Sequence, residues 1–357
     1  MKKQEWVFLV CLYSVPWLSY LLFMPQIVGT DSYFYLNLLN ILPSQFWLIK
    51  IGLGLLGIIF LLGIMLLAKH FKANAYYVGL AAITLTPLIF VSFAHFENDW
   101  LAIAFLPFVT WMALQKPLTW KLASMVSLVG LGLIWQGTIY YLIIFGLLNA
   151  YFAIPALIAW FWFGYERIIG NILPLASVNE SHILEGIAFI ALFVPAFIVL
   201  PKQKRELIGL TIFFLIIGAV NARFIIHVLP FMAILFYFFV KEVLVFIPKY
   251  QDLIKKLCWM TPIYLVVIWS AVLFTYPPSP EAIKTIQEYI DFKPEIEHKN
   301  DWSFGHWIRY YGLEPTAWAG GIWEQDYNHG IIMTQQDLNC PVKIDYNAGF
   351  KVFECKN

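Results

Sequence analysis

Charge is what this sequence lacks. Only 13% of its 357 residues are Asp, Glu, Lys or Arg, against 61% hydrophobic and 18% aromatic. A soluble domain averages about 25% charged and roughly 45–50% apolar. No soluble fold of this length can hide so much apolar surface, because surface grows too quickly relative to volume. A soluble enzyme and a nucleic-acid binder are excluded, and no nucleic acid is expected as a partner. A disordered chain is excluded as well, since disorder needs low hydrophobicity and high net charge, and here the net charge is +1. Cysteine is scarce too: there are four, with no spacing that builds a metal site. Cys11 and Cys258 fall in apolar stretches, where a thiol acts as a small hydrophobe. Cys340 and Cys355 would pair if their segment faces an oxidising side; a bridge and two free thiols both stay open. Internal repeats and low-complexity stretches are missing. The N-terminal MKKQEW carries signal-peptide charge without a small-residue cleavage site before the next polar segment, so a retained first helix is expected.

What is present is apolar length. Runs free of Asp, Glu, Lys and Arg cover residues 6–30, 51–68, 73–96, 100–115, 122–165, 186–201, 207–222, 224–240 and 257–280, and a spanning helix needs about 20 mostly apolar residues. The solvent for most of the chain is therefore the lipid bilayer. Basic residues in short loops mark the cytoplasmic side. Lys2 and Lys3, Lys69 and Lys72, and Lys116 and Lys121 alternate correctly with the N-terminus inside. Lys202, Lys204 and Arg205, then Lys241, Lys249, Lys255 and Lys256, mark further inner loops. The loops around Asp31 and around Glu97 and Asp99 then lie outside. The two halves agree only if residues 122–165 carry the chain from inside to outside. Three short or broken elements, with breaks near Gln136 and Gly137 and near 149–155, satisfy this; one span plus a re-entrant segment buried in protein is the other solution. The first gives about eleven transmembrane helices.

Residues 281–357 hold 12 of the 22 acidic side chains but 7 of the 23 basic ones. The reading is an α-helical polytopic membrane protein: a transmembrane domain over 1–276, and a small mixed α/β extracytoplasmic domain over 277–357. Pro277, Pro278 and Pro280 end the last helix. EAIKTIQEYID (281–291) has apolar residues at helical spacing, while IIMT, KIDYN and FKVFECK read as short strands and turns.

Acids beside apolar runs are costly and carry a functional hypothesis by default. Asp31 stands in GTDSYFYL, Glu97 and Asp99 in SFAHFENDWLAI, and Glu180 in LASVNESHI, all on the outer side. Carboxylates at i and i+2 in a turn can converge on one hard divalent cation; taken singly, each also reads as a solvated loop acid or helix N-cap. Arg223 in NARFIIHVLP interrupts an apolar stretch at the outer edge, where a guanidinium can grip a phosphate bidentately or simply snorkel. His227 follows one turn later on the same face. The tail's folded part opens with NDWSFGHWIRYYGLEP, an aromatic run that reads as packing core before it reads as a binding site.

Taken in order, these segments resemble the catalytic subunit of oligosaccharyltransferase in its single-subunit archaeal or bacterial form. That family has a first external loop with an essential Asp followed by aromatics, matched by Asp31 in GTDSYFYL. Its acid-x-acid motif in a second outer turn is matched by Glu97 and Asp99, and its S/T-V/I-x-E motif by SVNE with Glu180. Its Arg-Phe near the outer end of a late helix is matched by Arg223 in ARFIIHVLP. Its W-W-D-Y-G signature is matched in part by DWSFG, with Asp301 and Ser303 standing where the family has Trp and Asp.

The resemblance implies a C-type glycosyltransferase fold in the cell membrane, multi-pass, N-terminus cytoplasmic. It implies a glycosyltransferase that moves a glycan from a lipid-linked (dolichyl or polyprenyl) phosphate donor to asparagine of an acceptor polypeptide, with inversion. By resemblance Asp31, Glu97 and Asp99 hold Mn²⁺ or Mg²⁺, and Asp31 and Glu180 act on the acceptor amide. Arg223 and His227 take the donor phosphate, and Trp302, Ser303 and Gly305 line the acceptor site. Transfer to a hydroxyl or lipid acceptor, or a catalytically degenerate homologue, are the competing expectations. A transporter is disfavoured, because the charges gather at the outer edge rather than at the midplane.

Overall fold

A computed structural model describes residues 3–23, 27, 30–84, 98–163, 198–220, 226–272, 280–291, 298–300, 304–311, 330–336, 338–346 and 350–355. The described residues are mostly helical, with a small mixed sheet near the C-terminal end. In chain order the helices are α1 (Lys3–Phe23), α2 (Thr30–Leu38), α3 (Phe46–His70), α4 (Ala75–Thr84), α5 (Asn98–Ala113), α6 (Leu118–Ile134), α7 (Ile139–Leu148), α8 (Ala153–Phe163), α9 (Arg205–Val220), α10 (Leu229–Phe246), α11 (Gln251–Val272) and α12 (Pro280–Asp291). The six-residue α13 (Gly305–Tyr310) follows, interleaved with strands β1 (His298–Asn300), β2 (Gly330–Thr334), β3 (Val342–Ile344) and β4 (Lys351–Cys355).

Three described segments are long and apolar enough to cross a bilayer: Lys3–Phe23, Pro43–His70 and Ile226–Phe246. Membrane association therefore stands on length and composition. The run 122–165 is broken twice, near the two expected positions. Trp135 is extended and ends α6, and a 3-10 turn at Gln136–Thr138 leads into α7. Asn149 is extended in turn, its side chain accepting a hydrogen bond from the Tyr151 N–H at 3.2 Å to start the next turn. Ten helical residues rise only about 15 Å, half the thickness of a hydrocarbon core. A segment so short is stable in lipid only when protein covers it, and Ile139, Tyr140, Tyr141, Leu142, Ile144 and Phe145 of α7 are all buried.

Local chemistry sets the helix ends. Asn40 and Lys72 adopt left-handed backbone, with φ of 53° and 60°. Each closes a Schellman turn: Ile41 N–H to Leu36 C=O and Asn40 N–H to Asn37 C=O after α2, and Ala73 to Ala68 and Lys72 to Lys69 after α3. Asn74 then caps α4, its Oδ1 accepting from the Tyr76 N–H at 3.0 Å.

The chain divides into two compact units: Met1–Pro16, Gly54–Phe93 and Asn98–Trp269 form the first, and Trp17–Leu53, Ala94–Glu97 and Ser270–Asn357 the second. Within the first unit, α5 and α6 pair, α7 and α8 pair, and α4 lies on α10. Lys204 Nζ reaches the His70 carbonyl at 3.4 Å and Lys202 bonds Glu242 at 3.0 Å, so three of the lysine-marked segments touch. Phe8 stacks on Trp259 with centroids 4.4 Å apart.

In the second unit the sheet order is β1-β2-β4-β3, with β1 parallel to β2 and the other pairs antiparallel. Ala282, Ile286 and Tyr289 of α12 pack against Ile331 and Met333 of β2 and Val352 of β4. On the opposite face Ile332, Phe353 and Cys355 make a small second core, and Cys340 is joined to Cys355 by a disulfide. The two cysteines left open by the sequence are thus bridged, while Cys11 and Cys258 are free.

Candidate functional site

Two of the expected acids fall at the openings of helices. Asp31 is the second residue of α2 and Asp99 the second of α5, positions where a carboxylate is favoured by the helix dipole; their side chains lie outside the described residues. Glu97, Glu180, Arg223, Trp302 and Ser303 lie outside the described residues altogether. Among the described residues no three His, Cys, Asp or Glu side chains gather as a metal site. The expected donor set of Asp31, Glu97 and Asp99 is all carboxylate oxygen, the chemistry that suits Mn²⁺ or Mg²⁺.

The second unit does build the surroundings of Asp31. Helix α2 packs on α13, the helix that begins at buried Gly305. Tyr33, two residues after Asp31, is fully buried. Its ring meets Trp307 at 6.2 Å, Tyr310 at 5.1 Å and Phe46 at 6.3 Å, each nearly edge-on, the arrangement that matches ring edges to π faces. The Tyr310 hydroxyl donates to the Ile41 carbonyl at 2.7 Å, tying α13 to the turn after α2. Burial, with the neighbouring phenols of Tyr311, Tyr20 and Tyr310 adding to it, drives the Tyr33 hydroxyl far above the usual tyrosine range. Tyr310 is pushed up to about 12, first by burial and then by Tyr311. These phenols stay neutral at any physiological pH and act as packing groups. Phe304, Trp307 and Ile308 belong to the same core. The aromatic opening of the tail is thus packing in its described part, and what it packs is the helix that carries Asp31.

His227 sits in the 3-10 turn that leads into α10 and is 2% exposed. Trp135 stacks on its ring at 5.2 Å, while Phe214 and Tyr141 lie at 5.8 and 5.6 Å. The Tyr141 hydroxyl and His227 Nδ1 share a hydrogen bond of 2.9 Å. The imidazole is therefore held in one orientation by α7, α9 and the break between α6 and α7. Three aromatic rings surround it, and among the described residues its ring is enclosed in protein.

Sequence reasoning missed Lys50. It is the residue just before the apolar run 51–68, so it served to delimit that run rather than as a charge inside a helix. In the structure it lies within the span Pro43–His70 and is 4% exposed. Its Nζ is 3.4 Å from the Tyr20 carbonyl and 4.6 Å from the centre of the Tyr20 ring. The signal that would have found it is its position: seven residues past Pro43, too deep to belong to the preceding loop. Tyr141 and Trp135 were equally invisible, because both are ordinary apolar-run aromatics until the fold brings His227 to them.

The chain matches no protein-family model, and no curated protein matches it. The resemblance rests on the residues alone.

Proposed function

We propose that this chain is a membrane glycosyltransferase of the C-type fold, with about eleven transmembrane helices, which moves a glycan from a lipid-linked phosphate donor to asparagine of an acceptor polypeptide. The observation that carries the reading is the packing of the Asp31-bearing helix on the helix that opens at Gly305, since the family resemblance requires first outer loop and tail signature to serve one site. The disulfide between Cys340 and Cys355 supports a tail on the oxidising, extracytoplasmic side. The contact of Lys204 with His70 supports grouping the lysine-marked loops on the cytoplasmic side with the N-terminus.

In this reading Asp31, Glu97 and Asp99 hold Mn²⁺ or Mg²⁺, which supplies charge neutralisation at the leaving phosphate. Arg223 grips the same phosphate through paired N–H groups, and the caged His227 positions the helix start beside it. Glu180 and Asp31 accept hydrogen bonds from the acceptor amide, turning its lone pair out of conjugation toward the anomeric carbon. The bond formed joins that nitrogen to the anomeric carbon, and the bond broken joins that carbon to the phosphate oxygen. The lipid phosphate leaves with the electron pair, and the amide nitrogen gives up one of its two protons to the Asp31 or Glu180 carboxylate. Trp302, Ser303 and Gly305 line the acceptor side.

Ser303 favours a second reading, transfer to a hydroxyl or lipid acceptor, because it stands where the family has a carboxylate. Membranes containing the chain, given labelled lipid-linked oligosaccharide and an Asn-x-Thr peptide, should yield glycopeptide with Mn²⁺ and none with EDTA. Glu97→Ala should abolish it. Label moving to a hydroxyl or lipid acceptor would select the second reading. No transfer to any acceptor under either metal would leave a degenerate homologue and end the proposal.

A further inference from the structure

The first unit contains a groove between α4, α10 and α11, with a volume of about 480 Å³, within the roughly 300–1,000 Å³ range of pockets that hold small molecules. Its composition is graded along the helices. Lys241 stands five residues before the end of α10 and Lys255 four residues after the start of α11, so both charges lie toward the turn that joins these helices. Phe236 lies five residues further back along α10 and Thr261 six further along α11, about 8 and 9 Å away along the helix axes. The Thr261 hydroxyl donates to its own helix, to the Leu257 carbonyl at 2.8 Å, and presents little polarity to the groove. Leu80 and Ala81 of α4, both buried, complete the apolar floor. One end is cationic and the other is hydrocarbon.

The charge at the cationic end is uncompensated by the groove itself, whose lining contains two lysines and no carboxylate. Glu242, next to Lys241, is engaged by Lys202 at 3.0 and 3.1 Å. Asp252 reaches Lys255 only at 4.0 Å and is 94% exposed, so that pair contributes little. Lys249 and Lys256 strengthen the positive potential at the same turn. The apolar wall also continues into exposed apolar surface on α10 and α11: Phe246 is 79% exposed, Met260 65% and Tyr264 68%. In a chain whose solvent is lipid, this places the mouth among acyl chains.

We infer that the groove is a binding site for an anionic phospholipid of the bilayer, its phosphate held between Lys241 and Lys255 and an acyl chain lying along Tyr77, Leu80, Phe236 and Leu257. The phosphate would supply the oxygen acceptors that the two ammonium groups lack in the lining. A zwitterionic lipid brings its own cation beside the same phosphate, which offsets most of the attraction of both lysines. This site is separate from the proposed glycan transfer and stands or falls without it.

The test is native mass spectrometry of the full chain in detergent, titrated with phosphatidylglycerol or phosphatidylcholine. Each lysine near an anionic headgroup strengthens binding about fivefold, so the two together predict a preference of about thirty-fold for phosphatidylglycerol. Lys241→Gln with Lys255→Gln should erase that preference, while Lys249→Gln with Lys256→Gln should keep most of it. Equal binding of the two lipids, or an unchanged preference in the first variant, would overturn the inference. Should that variant fail to fold, the unaltered chain supplies a second readout through the groove thiol Cys258. Phosphatidylglycerol should slow its alkylation at least several-fold while leaving the exposed Cys11 unaffected, and equal rates with and without the lipid would reject the site.

Discussion

Replacing both cysteines of the tail, Cys340→Ser with Cys355→Ser, tests the stability of the second unit and the side of the membrane on which it folds. The bridge spans 15 residues of sequence and encloses β3 and most of β4. Cross-linking a loop of that length removes unfolded-state entropy worth about 3 kcal/mol. The anchor is central to the sheet: β4 lies between β2 and β3, and Cys355 stands opposite Gly330 of β2. Loss of the bridge should therefore loosen β2 and β4 together. A deficit of about 3 kcal/mol raises the population of the open sheet by about 150-fold. Hydrogen exchange on the full chain should show this at the amides of Ile332 and Phe353, with helices of the first unit unaffected. Alkylation of the native chain, denatured without reductant straight from cells, should label Cys11 and Cys258 only, and four thiols after reduction. Labelling of all four without reductant would place the tail on a reducing side and remove the support it gives to an outward-facing site. Unchanged exchange at β2 and β4 would show that loop closure does not limit the tail's stability.

Two pairs of substitutions probe packing. A Cβ on Gly63 of α3 would lie 2.7 Å from the Phe108 nitrogen and 2.9 Å from the Pro107 Cβ, and backbone cannot yield easily. Gly63→Ala should cost about 1–3 kcal/mol, read as a lower melting temperature in detergent, whereas Gly130→Ala, with nothing within 4 Å, should be neutral or stabilising. Tyr33→Ala should cost about 3–5 kcal/mol, and a double-mutant cycle with Trp307→Ala should return about 0.5–1.5 kcal/mol of coupling for the edge-on pair; strict additivity would refute the contact.

Much of the architecture was legible in charge and local side-chain chemistry. Lys69 and Lys72 bracket the end of α3, where the apolar run stops and Lys72 turns the chain in left-handed backbone. The breaks after Trp135 and at Asn149 were legible because glycine loosens the backbone and asparagine offers it a side-chain partner outside the helix. EAIKTIQEYID became α12 because its helical periodicity matches one buried face, and the apolar tail segments became β2 and β4 because they are short apolar runs with core on both faces. What escaped is non-local. His298–Asn300 has no alternating pattern and is a strand only because β2 offers it a ladder. GTDSYFYL was read as a loop, yet α2 forms because Tyr33 and Leu36, three apart, are buried against α13. The carboxylates were located by where charge should not be, and that reasoning says nothing about what holds them.

Lys50 shows the same limit from the other direction. A buried ammonium in a span is costly by default, and its sequence neighbourhood contains no acid to compensate it. Part of the compensation is local: Lys50 Nζ lies 3.4 Å from the Tyr20 carbonyl and 4.6 Å from the centre of the Tyr20 ring. A carbonyl near the C-terminal end of a helix carries the negative side of the helix dipole, and the face of a tyrosine ring attracts a cation. The lysine thus ties α3 to α1 within the unit that also holds the helix bearing Asp31.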